Sequence, residues 1–240
     1  CSRRWSTEYD FPAFQAGQVK KTTIPSHQVE SMQAYVMNNR LPKFQDRRVR
    51  QALTLAFNFE DMNRTLFFGL NQRISSHFAN SELAATGLPS ERELKFLEPL
   101  KSEIPPEVFT KEFELPVYED NRSVRDNLRQ ALELLKEAGY ELKGTKLVDA
   151  KTGQQFSIEM LGNDPTDARV LQPYADSLKR LGIDASIRIV DTNQFIERLT
   201  NFDFEMVGMK YYPQSMSPGN EQRDFWSSGA ADAPGSRNYA

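Results

Sequence analysis

The chain has 240 residues, of which 39% are apolar and 26% charged, with a formal net charge of −3. That length suffices to bury a sizeable core, as one large domain or two small ones. The slightly acidic balance argues against a nucleic-acid footprint, and no run approaches the roughly 18 apolar residues of a membrane span.

The opening stretch, CSRRWSTEYDF, contains no apolar signal-peptide core. Cys1 is the single cysteine, which excludes an internal disulfide framework and a thiolate metal cluster. Cys1-Ser2 has the form of a mature lipoprotein start; a chain that simply begins there is the plainer expectation.

Residues 1–32 read as irregular, broken by Pro12, Gly17 and Pro25. Met32–Met37 has the composition of a strand. From Asp46 the spacing of Val49, Leu53, Ala56 and Phe57 predicts an amphipathic helix with Asp46 as N-cap. A second short helix is expected over Glu60–Phe68, ending at Gly69. Residues 71–122 hold Pro89, Pro99, Pro105, Pro106 and Pro116 and one expected helix, Ser90–Leu97. This stretch is too aromatic for disorder and reads as a wrapping arm or a covering excursion.

Ser123–Ala138 predicts a helix with a Ser123/Asp126 capping pair and Gly139 just past its end. A turn or hairpin is expected around Lys143–Gly153. The next elements read as strand Phe156–Leu161, helix Asp164–Leu181 with Pro173 inside it, strand Ala185–Val190, helix Asp191–Leu199 and strand Phe204–Met209. This β-α-β-α-β order predicts parallel neighbours joined by right-handed crossovers. The aromatic pair Tyr211–Tyr212 and a Pro-Ser-Pro-Gly-type loop rich in amides follow. That segment should hang from the carboxyl edge of the sheet, where open α/β sheets bind ligands.

Catalytic and metal constellations are poor. His27 and His77 are the only histidines and lie fifty residues apart, so no metal site is expected. No G-x-S-x-G elbow and no three-glycine phosphate loop occurs. Glu221 and Asp224 form the one carboxylate pair in the interesting loop; beside Arg223 they read as a local ion-pair network rather than hydrolase acids. The Arg47–Arg48–Arg50 run reads as a solvated helix face. The rings of Tyr211, Tyr212, Phe225 and Trp226 either pack under the loop or offer flat contact area for tolerant recognition.

The stretch FQDRRVRQALTLAFNFEDMNRTLFFG (44–69) resembles the signature of the extracellular solute-binding proteins of family 5, receptors of peptide and nickel ABC importers. Phe44, Asp46, Val49, Arg50, Ala52, Ala56 and Gly69 match, and Asn58 stands where the family usually has Asp. ALELLKEAGY, LKRLGIDASIRIV and FDFEMVG resemble later landmarks in the same order. EYDFPAF, FANSELAATGLPS, PPEVFTKEF, MSPGNEQRDFW and PGSRNYA resemble the YejA-type, microcin C and oligopeptide-binding branch.

The resemblance implies an α/β, periplasmic-binding-protein-like lobe (type II, cluster C) with a mostly parallel sheet flanked by helices and a Pro-rich irregular excursion. Residues 1–45 would be a hinge-proximal segment with its leading strand. Residues 46–240 would be the carboxyl-terminal lobe, with 71–122 wrapping it, and the amino-terminal lobe and the end of the chain would lie outside this fragment. The implied protein is a monomeric, non-enzymatic periplasmic receptor without a cofactor. It would take oligopeptides or microcin C-type compounds between two lobes and pass them to a permease driven by ATPase subunits. Lys210, Tyr211, Tyr212, Gln214, Ser215 and Asn220 would line the cleft, with Arg223 and Asp224 beside them. In many relatives the segment after the last core strand pairs with the peptide backbone, and its acidic residue holds the ligand amine. Here that position falls near neutral Gln214, leaving Asp224, Glu221 or the other lobe to replace it. A cytoplasmic ligand-sensing domain of a regulator and a receptor for a non-peptide solute are the alternatives.

Overall fold

The computed structural model describes residues 2–212 and 215–239, with the backbone only for Ser2 and for residues 209–212. Cys1, and with it the reading of a lipoprotein start, lies outside the described residues.

In chain order the helices are α1 (Ser2–Thr7), α2 (Pro12–Gln15), α3 (Pro42–Gln45), α4 (Arg47–Leu55), α5 (Phe59–Leu66), α6 (Glu91–Leu97), α7 (Glu107–Thr110), α8 (Asn121–Glu137), α9 (Pro165–Arg180), α10 (Thr192–Thr200), α11 (Glu221–Trp226) and α12 (Ser228–Ala231). The strands are β1 (Met32–Met37), β2 (Tyr140–Lys143), β3 (Lys146–Asp149), β4 (Ser157–Gly162), β5 (Asp184–Ile189) and β6 (Met206–Tyr212). One sheet has the order β1-β6-β4-β5, and β2-β3 form a separate hairpin. β4 runs parallel to both β5 and β6, as the crossover pattern predicts, while β1 pairs antiparallel with β6.

Two apolar layers sandwich this sheet. On one face, α9 is packed between the strands and the α4–α8 pair. Val49, Ala52, Leu53, Leu128, Ala131, Leu135, Leu171, Tyr174 and Met206 close that core. The Tyr174 hydroxyl is satisfied there by donating to the Leu53 carbonyl at 2.9 Å. On the other face Val36, Leu161, Val207, Phe204, Phe225 and Tyr239 form a smaller core. Each fully buried Leu, Ile or Phe contributes about 1.5–3 kcal/mol.

The family-like signature is a self-braced corner. Phe44 is fully buried, and Asp46 caps α4 by accepting from the Arg48 amide at 2.8 Å. Arg50 is not merely a solvated residue of its helix. Its Nη1 donates to the carbonyls of Phe44 (2.6 Å) and Gln45 (2.8 Å), tying up the end of α3. Asn58 caps α5 by accepting from the Asp61 amide at 3.0 Å, so the exchange of Asp for Asn keeps the cap.

Beyond shifts of one to four residues at other element ends, three differences from the sequence reading have a physical reason. The cap of α8 is Asp120, in a capping box with Ser123, because Ser123 already lies at the third helical position. Residues 1–32 contain α1 and α2, held by a ring cluster of Trp5, Tyr9, Phe11 and Phe14 that no helical period announces. The last strand is shifted to Met206–Tyr212. Phe202 has φ 54 and turns the chain, and the Glu205 carboxylate receives the Glu159 amide at 2.7 Å, so the ladder begins only at Met206. Pro173 sits inside α9, which still starts at Pro165 with Asp164 as cap.

The 71–122 excursion is ordered mainly by polar ties. Arg73 lies over the Phe57 ring and donates to the Pro116 carbonyl. The Asn80 amide donates to the carbonyls of Ser26 (2.9 Å) and Gln28 (2.8 Å), and the Glu30 amide donates to Ala79 at 2.8 Å. The arm therefore folds back onto the approach to β1.

Candidate ligand-binding site

Three loops leave the carboxyl edge of the parallel strands. After β4, the amides of Asn163 and Asp164 donate to Asp167 Oδ2 at 3.0 and 3.1 Å. After β5, Asp191 receives the amides of Asn193 and Gln194 at 2.9 and 3.0 Å. The amides just before α9 and two amides in the first turn of α10 are thus taken up by the chain's own carboxylates rather than offered to an anionic ligand.

The third loop follows β6 and differs. β4 pairs with β6 only at Met206 and Val207, whereas β1 pairs with it as far as Tyr212. Among the described residues, no strand continues β4 alongside Lys210–Tyr212, so this stretch of main chain is paired on one side alone. It is also offset. Ala34 to Val36 spans two steps on β1 while Lys210 to Val207 spans three on β6, so Gly208 and Met209 together oppose Tyr35. Such one-residue bulges end pairing and re-aim a strand.

Lys210, Tyr211 and Tyr212 therefore belong to the last strand itself, not to a loop after it; their backbone pairs with Ala34, Gln33 and Met32. Gln214 lies outside the described residues. Ser215 and Asn220 are exposed, and Asn220 precedes α11 without capping it through its side chain. Arg223 is exposed, whereas Asp224 is half-buried and bonded to Arg237 Nε at 2.7 Å. The cation expected for Asp224 is thus Arg237, thirteen residues on, and Arg237 also lies 4.4 Å from the Phe225 ring centre. Glu221 accepts the Gly219 amide at 2.8 Å, and this bond leads the causes that hold its carboxyl below the usual range. The two rings ending α11 divide the roles foreseen for them. Phe225 is buried in the smaller core, and Trp226 is half-exposed with its Nε1 donating to Gln222 Oε1 at 3.0 Å.

Sequence reasoning missed the side of this edge built by the excursion. His77 stands edge-on to Trp226, ring centres 4.6 Å apart, and burial pushes its imidazole pKa down. No spacing in the sequence links His77 to Trp226; in the structure the chain turns sharply close by at Asn80, whose φ is 60. A polar hollow of about 320 Å³ lies against β5 and α10, lined by Arg188, Gln194 and Arg198 among others, and involves none of residues 206–226. Its Arg198 is already committed to Glu159 (2.8 Å) and Asp203 (3.2 Å). Among the described residues no cluster of three or more His, Cys, Asp or Glu is placed to hold a metal, and no helix is long and apolar enough to cross a membrane.

The family model of the bacterial extracellular solute-binding proteins, family 5 (middle part), matches residues 6–233. The chain belongs to that family. It is 51% identical over 241 aligned residues to the "Probable peptide-binding protein YejA" of Agrobacterium fabrum, covering 100% of this chain and 39% of that protein. This family-5 chain thus spans about two-fifths of the length of that curated relative. The oligopeptide-binding protein AppA of Bacillus subtilis, solved with a nonapeptide, superimposes with a TM-score of 0.60 at 22% identity, over 88% of this chain and 36% of that one. A periplasmic oligopeptide-binding protein of Thermotoga maritima gives a TM-score of 0.62 at 15% identity, over 95% and 39%. These two likenesses establish the fold, that of the periplasmic binding proteins of this family. The family comprises bacterial extracellular solute-binding proteins, not enzymes.

Proposed function

We propose that this chain is the ligand-gripping part of a periplasmic receptor that takes oligopeptides or peptide-like compounds, microcin C-type molecules among them, and presents them to an ABC permease. The observation that carries this reading is the main chain of Lys210–Tyr212, paired with β1 on one side and with no described strand on the other. An extended peptide satisfies such an edge as an added strand, gaining main-chain bonds irrespective of its side chains. Each bond is worth about 0.5–1.5 kcal/mol net.

Lys210, Tyr211, Tyr212, Gln214, Ser215 and Asn220 are the proposed cleft residues, with Arg223 at the rim. Asp224 is a weaker candidate for holding the ligand amine, since Arg237 already neutralises it. Glu221 is tied to its own loop, which favours a carboxylate from a second lobe for that task. Two lobes closing on the ligand exclude water from both sides, so one lobe alone supplies only part of the affinity. We place the receptor in the periplasm, acting as a monomer and served by the ATPase subunits of its importer.

The test is to express the complete reading frame that contains this chain and identify co-purifying ligands by mass spectrometry. Peptides or peptide conjugates are expected; recovery of sugars or metal complexes alone would refute the reading. Calorimetry on the 240 residues by themselves should show weak binding or none.

A further inference from the structure

We propose that Gly208 is a positioning residue for the ligand edge, and that its missing side chain is what lets β6 part from β4 while staying paired with β1, so that Lys210–Tyr212 present an edge to an added peptide strand. This rests on the reading of Lys210–Tyr212 as the docking edge. Three features coincide at Gly208. It is the first residue after Val207, where the β4 ladder ends, and it forms the bulge with Met209 opposite Tyr35. It also has no room for a Cβ, which would meet Leu171 Cδ2 at 2.3 Å, Leu171 Cγ at 3.2 Å and Tyr35 Cε1 at 3.4 Å.

Gly208 is not among the residues with positive φ, so glycine is needed there for space rather than for backbone freedom. Nor are its neighbours free to yield. Leu171 is fully buried on α9. Tyr35 packs against Phe57 (5.1 Å between ring centres) and Tyr174 (4.9 Å), and its hydroxyl donates to the Val170 carbonyl at 3.3 Å. With helix and tyrosine braced, the strand is the element left to move. An added methyl at 208 is therefore relieved by displacing residues 209–212, which carry the edge. Crowding a packed core in this way forces backbone shifts rather than local accommodation.

The test compares Gly208→Ala, Leu171→Ala and the double variant in the complete polypeptide. The readouts are thermal melting, amide exchange of residues 209–212 in the ligand-free protein, and affinity for a peptide recovered from the wild type. Gly208→Ala should lose protection at 209–212 and bind roughly tenfold more weakly, the equivalent of one or two main-chain bonds. Leu171→Ala, although destabilised by its cavity, should keep protection at the edge. The double variant should match Leu171→Ala in both protection and affinity, because the obstructing atoms are gone. The proposal is overturned if Gly208→Ala retains native edge protection, or if the double variant lacks the protection seen in Leu171→Ala. Should Gly208→Ala fail to fold, the comparison of the double variant with Leu171→Ala decides alone. Should the wild type bind no peptide, the docking reading falls while the exchange data still judge Gly208.

Discussion

Residues 44–69 and residues 206–226 are the two most telling parts of this chain, and they are built in opposite ways. The first closes on itself: Phe44 is buried, Asp46 and Asn58 cap their helices, and Arg50 spends its hydrogen bonds on the carbonyls of the preceding turn. The second stays open, with a bulged strand that outruns its neighbour and a loop whose described residues are exposed. The motif that identifies the family is thus a folding device, and the segment proposed for ligand carries a strand edge with no described strand beside it. Recognition of a family and location of its site rest on different physics.

The sharpest way to break this contrast is at Phe44. Phe44→Ala should cost about 3–5 kcal/mol in urea unfolding, through lost burial and a cavity, while peptide affinity per folded molecule stays unchanged. Arg50→Met comes next. It removes two charge-assisted bonds to carbonyls, and about 1.5–3 kcal/mol of stability should go with them. A smaller effect is expected from Asp46→Ala, about 1 kcal/mol through loss of the α4 cap, with Asp46→Asn retaining most of it.

The open region should answer in reverse. Ser215→Ala and Asn220→Ala should shift stability by no more than about 0.5 kcal/mol. Their signature is weakened ligand binding; unchanged calorimetric affinity in both would remove these two residues from the cleft. The smallest effect concerns His77. Its pKa is lowered by burial, so the folded state favours neutral imidazole and the unfolded chain takes up a proton more readily. Stability from this group is therefore present above its unfolded pKa near 6.5 and is lost as pH falls below it. The fluorescence of Trp226 should change over that range in the wild type and remain flat in His77→Gln.

Legibility followed locality. The α4 helix, its Asp46 cap and the three parallel strands were readable because each depends on residues within one or two turns, or on alternation inside one segment. The bounds of β6 were not, because that strand is prolonged by β1, more than 160 residues away in sequence, and delayed by Glu205 bonding to Glu159. The candidate residues were readable as a cluster, since aromatic and amide side chains follow one another there. Their division of labour was hidden, because Asp224 finds Arg237 and Trp226 finds His77 only after folding.

By itself the sequence determined the central helices, the parallel order of β4, β5 and β6 and the family, since periodicity, caps and contiguous motifs are written along the chain. Tertiary structure alone decided which edge stays open. The length of β6 beyond β4, the bulge at Gly208–Met209 and the return of the 71–122 arm all arise from contacts between distant segments. No local pattern encodes them, because each depends on where another part of the chain comes to rest.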